Sequence, residues 1–68
     1  MNTQILKDYY SVVKAILKQR YPNLTSNDLA YISGREDEVF ERVEQRTGVS
    51  REEIERGVEE ELNAISVG

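Results

Sequence analysis

Acidic side chains dominate the last third of the chain and are its first candidates for chemistry. Six glutamates fall in this region: Glu52, Glu53, Glu55, Glu59, Glu60 and Glu61. A hard cation such as Ca²⁺ needs oxygen ligands that converge on one point, usually from a loop. These carboxylates instead radiate from a predicted helix that also supplies Arg51 and Arg56 as local ionic partners. The run therefore indicates a solvated helix face and predicts no metal site.

The residue types that most often carry catalysis are absent or badly placed. The sequence has no histidine and no cysteine, which removes the commonest general base, the thiol nucleophile and the usual metal ligands. Paired acids such as Glu36 and Asp37 need an apolar pocket to separate their pKa values, and the sequence indicates none around them. Gly34 and Gly48 stand alone as expected helix C-caps, outside any phosphate-binding motif. We therefore predict a protein without enzymatic activity and without a cofactor.

Positive charge and aromatic rings are interleaved near the start of the chain. Residues 1–21 carry four basic side chains against one acidic side chain, for a net charge of +3. The remaining residues carry five arginines against twelve acids, for −7. Lysines beside tyrosines suit single-stranded nucleic acid, because the ammonium groups contact phosphates while the rings stack on bases. The candidate interaction surface consists of Lys7, Tyr10, Lys14, Lys18 and Tyr21.

Two other interpretations of this surface stay open from the residues alone. The lysines form a solvated helix face with the tyrosines half in the core, or they pair with the acidic C-terminal helix within the monomer or across a dimer. The total net charge of −4 argues against a dedicated duplex-DNA binder, which usually has a strong basic excess. Nucleic acid is therefore less favoured than a protein partner or self-association through oppositely charged faces.

The size and hydropathy of the chain limit its class. A chain of 68 residues forms one domain at most, so residues 1–68 are expected to be a single small helical domain. No apolar run approaches the ~18 residues of a membrane span, and the first residues lack the apolar core of a signal peptide. We expect a cytoplasmic protein with no membrane partner.

Hydrophobic residues recur at helical spacing along most of the chain. From about residue 3 to residue 20 the apolar side chains fall within one arc about 160° wide, with the lysines on the far side. This arc comprises Ile5, Leu6, Tyr9, Val12, Val13, Ile16 and Leu17. Pro22 ends the helix because proline lacks an amide hydrogen and disfavours the α conformation of the preceding residue. Later apolar stripes comprise Val39, Phe40 and Val43, and then Ile54, Val58, Leu62 and Ile65.

Two helix starts carry the same capping signature. Thr25 is followed by Asp28 at the N3 position, and Ser50 is followed by Glu53 at the same position. Such pairs form capping boxes, in which each side chain accepts a hydrogen bond from the other residue's amide. A hydrophobic staple accompanies each box: Leu24 with Leu29, and Val49 with Ile54. Gly34 is expected to end the first of these helices.

These signals predict an all-α fold of four helices, one of them short. The helices are expected at about 3–20, 26–33, 35–47 and 51–65. Short turns between them favour two packed helical hairpins around one core. Gly57 lies inside the last helix, where glycine costs about 1 kcal/mol of helix propensity. We expect another helix to approach closely at that position.

The turns and caps resemble those of the CsbD-like family of small bacterial general stress-response proteins. The matching segments are Leu24–Leu29, Gly34–Val39, Val43–Gly48 and Ser50–Glu53. The resemblance extends weakly into the first helix, where tyrosines stand at the family's usual tryptophan positions. It implies a SAM-domain-like four-helix fold and an abundance raised by general stress. The family has no established enzymatic activity or ligand, so the resemblance implies none.

Together, the residues and the resemblance predict a non-enzymatic, stress-associated bacterial protein that acts through protein contacts or through its abundance. The alternative is a weak nucleic-acid-binding module that uses the basic, tyrosine-containing first helix.

Overall fold

Four helices account for most of the chain in a computed structural model, which describes the backbone of residues 1–67 and the side chains of residues 1–65. They are α1 (Thr3–Asp8), α2 (Tyr10–Arg20), α3 (Glu38–Thr47) and α4 (Arg51–Val67). Residues 1–67 contain no β-strand. The all-α prediction with four helices is thus confirmed, although the four observed helices do not correspond one to one with the predicted four.

The core lies where α2, α3 and α4 meet, since α4 packs against both α2 and α3. Its largest fully buried side chains are Phe40, Leu6, Leu17, Leu24, Ile54, Val13, Val39, Val43 and Val58. Each predicted stripe contributes to this set, so the hydrophobic spacing identified the inward face of every helix. The outer edges of two stripes stay exposed, at Ile5 and Tyr9 in the first and at Ile65 in the last.

The first predicted helix, over 3–20, is interrupted at one residue. Asn2 caps α1, and its side-chain oxygen accepts hydrogen bonds from the amides of Gln4 (2.7 Å) and Ile5 (3.4 Å). Tyr9, with φ −117° and ψ 25°, separates α1 from α2. The helical hydrogen bonds continue across it, because the Tyr9 amide donates to the Ile5 carbonyl and the Tyr9 carbonyl accepts from Val13. The interruption is therefore local.

The short helix predicted over 26–33 does not form, although its start does. Asp28 Oδ2 accepts from the Thr25 amide (2.9 Å), and the Asp28 amide donates to Thr25 Oγ1 (3.3 Å), so the capping box is present. Leu24 and Leu29 are both buried, as the staple requires. The backbone then closes only two i to i+3 hydrogen bonds and leaves the helical path.

Distant side chains explain why this helix stops after one turn. The carbonyls of Asp28, Leu29 and Ala30 are those that a continuing helix would use for its next hydrogen bonds. Arg42 instead donates to the carbonyls of Asp28 (3.0 Å) and Ala30 (2.6 Å). The Tyr10 hydroxyl shares its one hydrogen between those of Leu29 and Ala30, each at 3.1 Å. Tertiary hydrogen bonds thus replace the local ones.

The third predicted helix, over 35–47, begins three residues late as α3. Residues 35–37 are tightened by successive i to i+3 hydrogen bonds, from Glu38 to Arg35, from Val39 to Glu36 and from Phe40 to Asp37. The preceding turn closes through the Arg35 amide and the Ile32 carbonyl (2.9 Å), with Gly34 at φ 83°. Gly34 therefore serves this turn and not a helix C-cap.

The junction between α3 and α4 follows its prediction closely. Gly48 takes the left-handed conformation (φ 78°), and its amide donates to the Glu44 carbonyl at 2.8 Å. Ser50 Oγ accepts from the Glu53 amide at 3.3 Å and caps α4, but the Glu53 side chain does not return a bond to the Ser50 amide, so the predicted capping box is half formed. The two helices then pack as a hairpin. In the first half of the chain, by contrast, α2 is followed by turns over residues 21–37.

Gly57 is buried beneath a side chain and not beneath a neighbouring helix backbone. A Cβ atom at this position would lie 2.9 Å from Nη1 and 3.0 Å from Cζ of Arg20. The Arg20 guanidinium crosses α4 here and forms an ion pair with Glu61. The predicted close approach is therefore present, but the flexible end of an arginine makes it.

Gly57→Ala is expected to stabilise the domain by about 0.5–1 kcal/mol, because alanine restores helix propensity and the arginine tip shifts aside. Gly48→Ala, its matched control, should destabilise the domain by about 1 kcal/mol, because a Cβ atom is strained at positive φ. Urea unfolding of the two variants and the parent measures both changes. Destabilisation by Gly57→Ala would mean that the contact of Arg20 with Glu61 outweighs helix propensity.

Candidate functional site

The structure divides the predicted interaction surface between core and solvent. Tyr10 is only 7% exposed and belongs to the hydrophobic core. Its hydroxyl is bonded to two carbonyls, and its ring meets that of Tyr31 edge-on, with centroids 4.9 Å apart. Burial also raises the pKa of the Tyr10 hydroxyl. Because no face of this ring is open to a base, the assignment of Tyr10 to an interaction surface is wrong.

Two further members of the predicted surface support the chain where α2 ends. Lys18 Nζ donates to the carbonyls of Pro22 (3.1 Å) and Leu24 (2.5 Å). Tyr21 is half-buried and packs against the core. A lysine near a helix C-terminus commonly binds carbonyls that lack helical partners. Lys18 thus folds the turn after α2, although its stem remains exposed.

Lys7 and Lys14 remain exposed on the surface. Lys14 and Lys18 line one shallow groove of about 370 Å³, together with Ser11, Thr25 and other residues. Lys7 instead lies close enough to Glu36 to favour the ionised form of that carboxylate. The structure therefore brings Lys14 and Lys18 together. It associates Lys7 with residues 21–37 between α2 and α3, which we call the turn segment.

Asp28 is a buried carboxylate that joins the turn segment to α3. Its oxygens accept from the Thr25 amide and hydroxyl and from the Arg46 guanidinium, whose Nε lies 3.0 Å from Oδ2. The amide hydrogen bond first, and then Arg46, hold the pKa of Asp28 below its ordinary value. Nothing local in the sequence indicated Arg46 as its partner, because the two residues are 18 positions apart.

Glu36 is a second buried carboxylate and is 3% exposed. It accepts from the Tyr31 hydroxyl (2.8 Å) and the Gly34 amide (3.1 Å). A hydrogen bond from its own backbone amide, followed by those from Tyr31 and Gly34, lowers the pKa of Glu36. A lowered pKa makes a carboxylate a weaker base at neutral pH. Both buried acids are thus arranged to hold loops in place.

The acidic helix α4 uses part of its charge in ion pairs. Arg51 Nε contacts Glu55 at 3.3 Å, as the helical spacing predicted, and the same guanidinium reaches Glu41 at 3.1 Å. The amino group of Met1 lies 2.7 Å from Glu55 and 3.8 Å from Glu59. Within the described residues, no group of three or more acidic side chains is placed to hold a metal ion.

An apolar groove of about 620 Å³ runs between the α1–α2 segment and the C-terminal half of α4. Its lining residues are Met1, Asn2, Ile5, Tyr9, Val12, Glu59, Leu62, Asn63 and Ile65. Three of the large apolar side chains are strongly exposed: Ile5 (45%), Tyr9 (53%) and Ile65 (60%). Exposed apolar side chains that form one concave surface mark an interaction site more often than scattered ones do.

This groove arises from the predicted helix faces themselves. Ile5, Tyr9 and Val12 form one edge of the apolar arc predicted for the first helix, and Leu62 and Ile65 end the stripe predicted for the last. These side chains lie outside the fully buried core and meet across the groove. Three of the five strongly exposed large apolar side chains in the described part of the chain thus lie in one place, and the other two, Tyr31 and Ile32, lie outside it.

No helix within the described part of the chain combines the length and the apolar character needed to cross a bilayer.

The fold and the groove define a small all-helical protein with a concave apolar surface. The chain is similar to UPF0337 protein pc0632 of Protochlamydia amoebophila (strain UWE25), with 29% identity over 56 residues. The similar region covers 82% of this chain and 85% of that protein. No family model matches the chain, and no solved structure matches it.

Tyr10→Phe is expected to destabilise the domain by about 1–2 kcal/mol, because the Leu29 carbonyl loses its donor in a buried setting. Tyr9→Phe is the matched control and should change stability by less than about 0.5 kcal/mol, since Tyr9 is exposed. Chemical unfolding of both variants measures the difference. Equal effects would show that the Tyr10 hydroxyl does not hold the turn segment.

Asp28→Asn should lower stability at neutral pH, because the amide replaces an ionised carboxylate that Arg46 and the Thr25 amide stabilise. The folded-state pKa of Asp28 lies below its ordinary value of 3.8. Its contribution is therefore complete above that value and is lost as the pH falls through the folded-state pKa. The stability difference between parent and variant should shrink below about pH 4. Unfolding curves measured from pH 7 to pH 2 check this, and a difference independent of pH would contradict it.

Proposed function

We propose that this chain is a CsbD-like, stress-associated bacterial protein that acts through non-covalent contacts with another protein and catalyses no reaction. The observation that carries the proposal is the apolar groove between α1–α2 and α4, where Ile5, Tyr9 and Ile65 are exposed. A small domain gains stability by burying such side chains. Their collection in one concavity is what a docking surface requires.

The similarity to a UPF0337 protein supports the family part of the proposal. UPF0337 is the CsbD-like family, which the turn and cap motifs also resemble. The capping box of Thr25 and Asp28 and the cap at Ser50, both part of that resemblance, are formed in the structure. The proposal includes a cytoplasmic location, which cell fractionation tests directly.

The buried acids support the absence of catalysis. Acid–base chemistry at neutral pH favours a carboxyl group whose pKa is raised toward the working pH. The pKa values of Asp28 and Glu36 are both shifted the other way, and their oxygens are bonded to amides, hydroxyls or guanidinium groups of the fold. These groups stabilise turns and are poorly suited to accept a proton from a substrate.

Protein contact has more support than nucleic-acid binding. Of the five residues of the proposed basic surface, Tyr10 is buried and Lys18 donates to two carbonyls. Tyr10 is therefore not available to stack on a base, and Lys18 is less available to contact a phosphate. Val12 and Leu62 of the groove lining pack against the core, but Ile5 and Ile65 have no comparable commitment to the fold and remain about half exposed or more.

The test of the proposal is genetic. In a strain deleted for this chain, we expect reduced survival of osmotic, stationary-phase or heat stress, and the parent chain should restore it. An Ile5→Ser, Ile65→Ser double variant should restore it poorly, whereas Ile32→Ser should restore it fully. Ile32 is the matched control because it is 40% exposed and lies outside the groove lining.

Protein levels measured by quantitative mass spectrometry accompany this test, and we expect them to rise under stress. Levels that stay flat in every stress, together with normal survival of the deletion strain, would refute the stress role. Full rescue by the double variant at parental protein levels would refute action through the groove.

A further inference from the structure

We infer that the groove binds a basic amphipathic helix of a partner protein. This inference rests on the proposed function and specifies the chemistry of the partner. Its basis is the combination of an apolar lining with acidic groups along the margins of the groove. An amphipathic helix places apolar side chains on one face, and flanking lysines or arginines suit acids beside an apolar channel.

The walls of the groove fit a helix better than they fit a small molecule. Ile5, Tyr9 and Val12 recur at helical spacing on one wall, and Leu62 and Ile65 recur so on the other. Each wall therefore presents a row of apolar knobs along a helix. A third helix that lies between two such rows packs its own side chains between them, as in other helix-in-groove complexes.

The α4 margin of the groove carries Glu55 and Glu59, with the exposed Arg56 between them in sequence. Glu59 is the charged side chain among the lining residues, and Glu55 precedes it by one helical turn. The Met1 amino group already lies 2.7 Å from Glu55 and 3.8 Å from Glu59. The charge of Glu55 is therefore already compensated by the Met1 amino group and by Arg51, and Glu59 is the acid that a partner can reach. Glu59, with a side chain 51% exposed, retains surface for a second cation.

The α1 margin carries an acid as well. Asp8 is exposed and lies about 60° from Ile5 on the face of α1, at about 100° per residue. Its carboxylate accepts from the Gln4 amide group at 3.0 Å, a neutral partner that leaves its charge uncompensated. By this spacing an acid stands on each of the two helical segments that build the groove, and Glu59 is the one that lines it.

The two lysines of α2 point away from the groove, whereas Arg20 at the end of α2 pairs with Glu61 of α4. Lys14 lies about 160° from Val12 around the helix, at about 100° per residue. It lines the other, shallow groove together with Lys18. The positive face of the segment therefore does not offset the acids beside the apolar groove, and it adds no attraction there for an acidic partner.

The same charges disfavour a second copy of this chain as the occupant. Two copies that pair through one surface bring identical patches together, so Glu59 of one copy meets the acidic margin of the other. Like charges that face each other across an interface reduce affinity. A basic partner instead brings opposite charge to the acidic margin.

The test uses a defined peptide probe. The probe is an amphipathic helix of about 14 residues, long enough to become helical on binding, made of leucine on one face and lysine on the other. A second peptide replaces each lysine by glutamate. Fluorescence anisotropy measures the affinity of each labelled peptide for the intact chain, and amide NMR shifts locate the contact.

We expect the lysine peptide to bind and to shift the amides of groove residues, and the glutamate peptide to bind at least tenfold more weakly. Ile5→Ser and Ile65→Ser should each weaken binding about tenfold or more, because each removes a large apolar contact. Glu59→Gln should weaken it about threefold. Tyr9→Ser serves in place of either isoleucine variant that fails to give a dispersed amide spectrum.

The matched controls are Ile32→Ser and Glu60→Gln. Ile32 is an exposed isoleucine outside the groove lining, and Glu60 is an exposed acid on a different face of α4. Both should change affinity less than twofold. Controls as damaging as the groove variants, or equal affinity for the two peptides, would overturn the inference.

Sedimentation of the chain alone supplies one further outcome. A dimer that Ile65→Ser dissociates would make a second copy the occupant and would also overturn the inference. The proposed function would still stand if neither peptide bound but the Ile5→Ser, Ile65→Ser double variant restored survival poorly. Peptide binding combined with full rescue by that variant would refute the proposed function instead.

Discussion

The fold depends on a set of hydrogen bonds that distant side chains donate to the backbone between α2 and α3. Residues 21–37 run beside the core without regular secondary structure, and carbonyls near a core are costly unless they are paired. Tyr10 from α2 and Arg42 from α3 supply donors to the Leu29 and Ala30 carbonyls. The segment is therefore held to both helices at once, and its leucines are placed in the core as a result.

Local signals and long-range contacts separate what the sequence could predict from what it could not. The capping box at Thr25, the left-handed Gly48 and the cap at Ser50 involve residues close in sequence, and each prediction is confirmed. The missing helix over 26–33 has a different origin, because the competing donors lie 12 to 20 positions away. The burial of Tyr10 was missed for the same reason, since its partners come from that segment. A periodicity of apolar residues carries no information about which distant side chain will donate a hydrogen bond to a given backbone carbonyl.

Part of the candidate groove comes from the edge of an apolar arc that the sequence predicted for the first helix. The apolar arc predicted for the first helix, about 160° wide, exceeds the stripe of roughly 100° that a surface helix needs to cover one core. Leu6, Val13 and Leu17 fill the core, and Ile5 and Tyr9 stay at its margin. Only the packing of α4 beside this segment shows that the excess forms a groove.

Charge gives the molecule two different sides. The lysines of α2 lie on one side, where Lys18 binds backbone carbonyls and Lys14 faces solvent. The exposed apolar residues of the groove, Ile5, Tyr9 and Ile65, lie on another part of the surface, where Glu59 also lines the groove. Charge at the margin of an apolar site acts mainly on the choice and orientation of a partner, while the buried apolar area supplies most of the affinity. The unequal charge of the two ends of the chain thus has a structural counterpart, because Glu59 from the acidic end lines the surface that has apolar area left to bury.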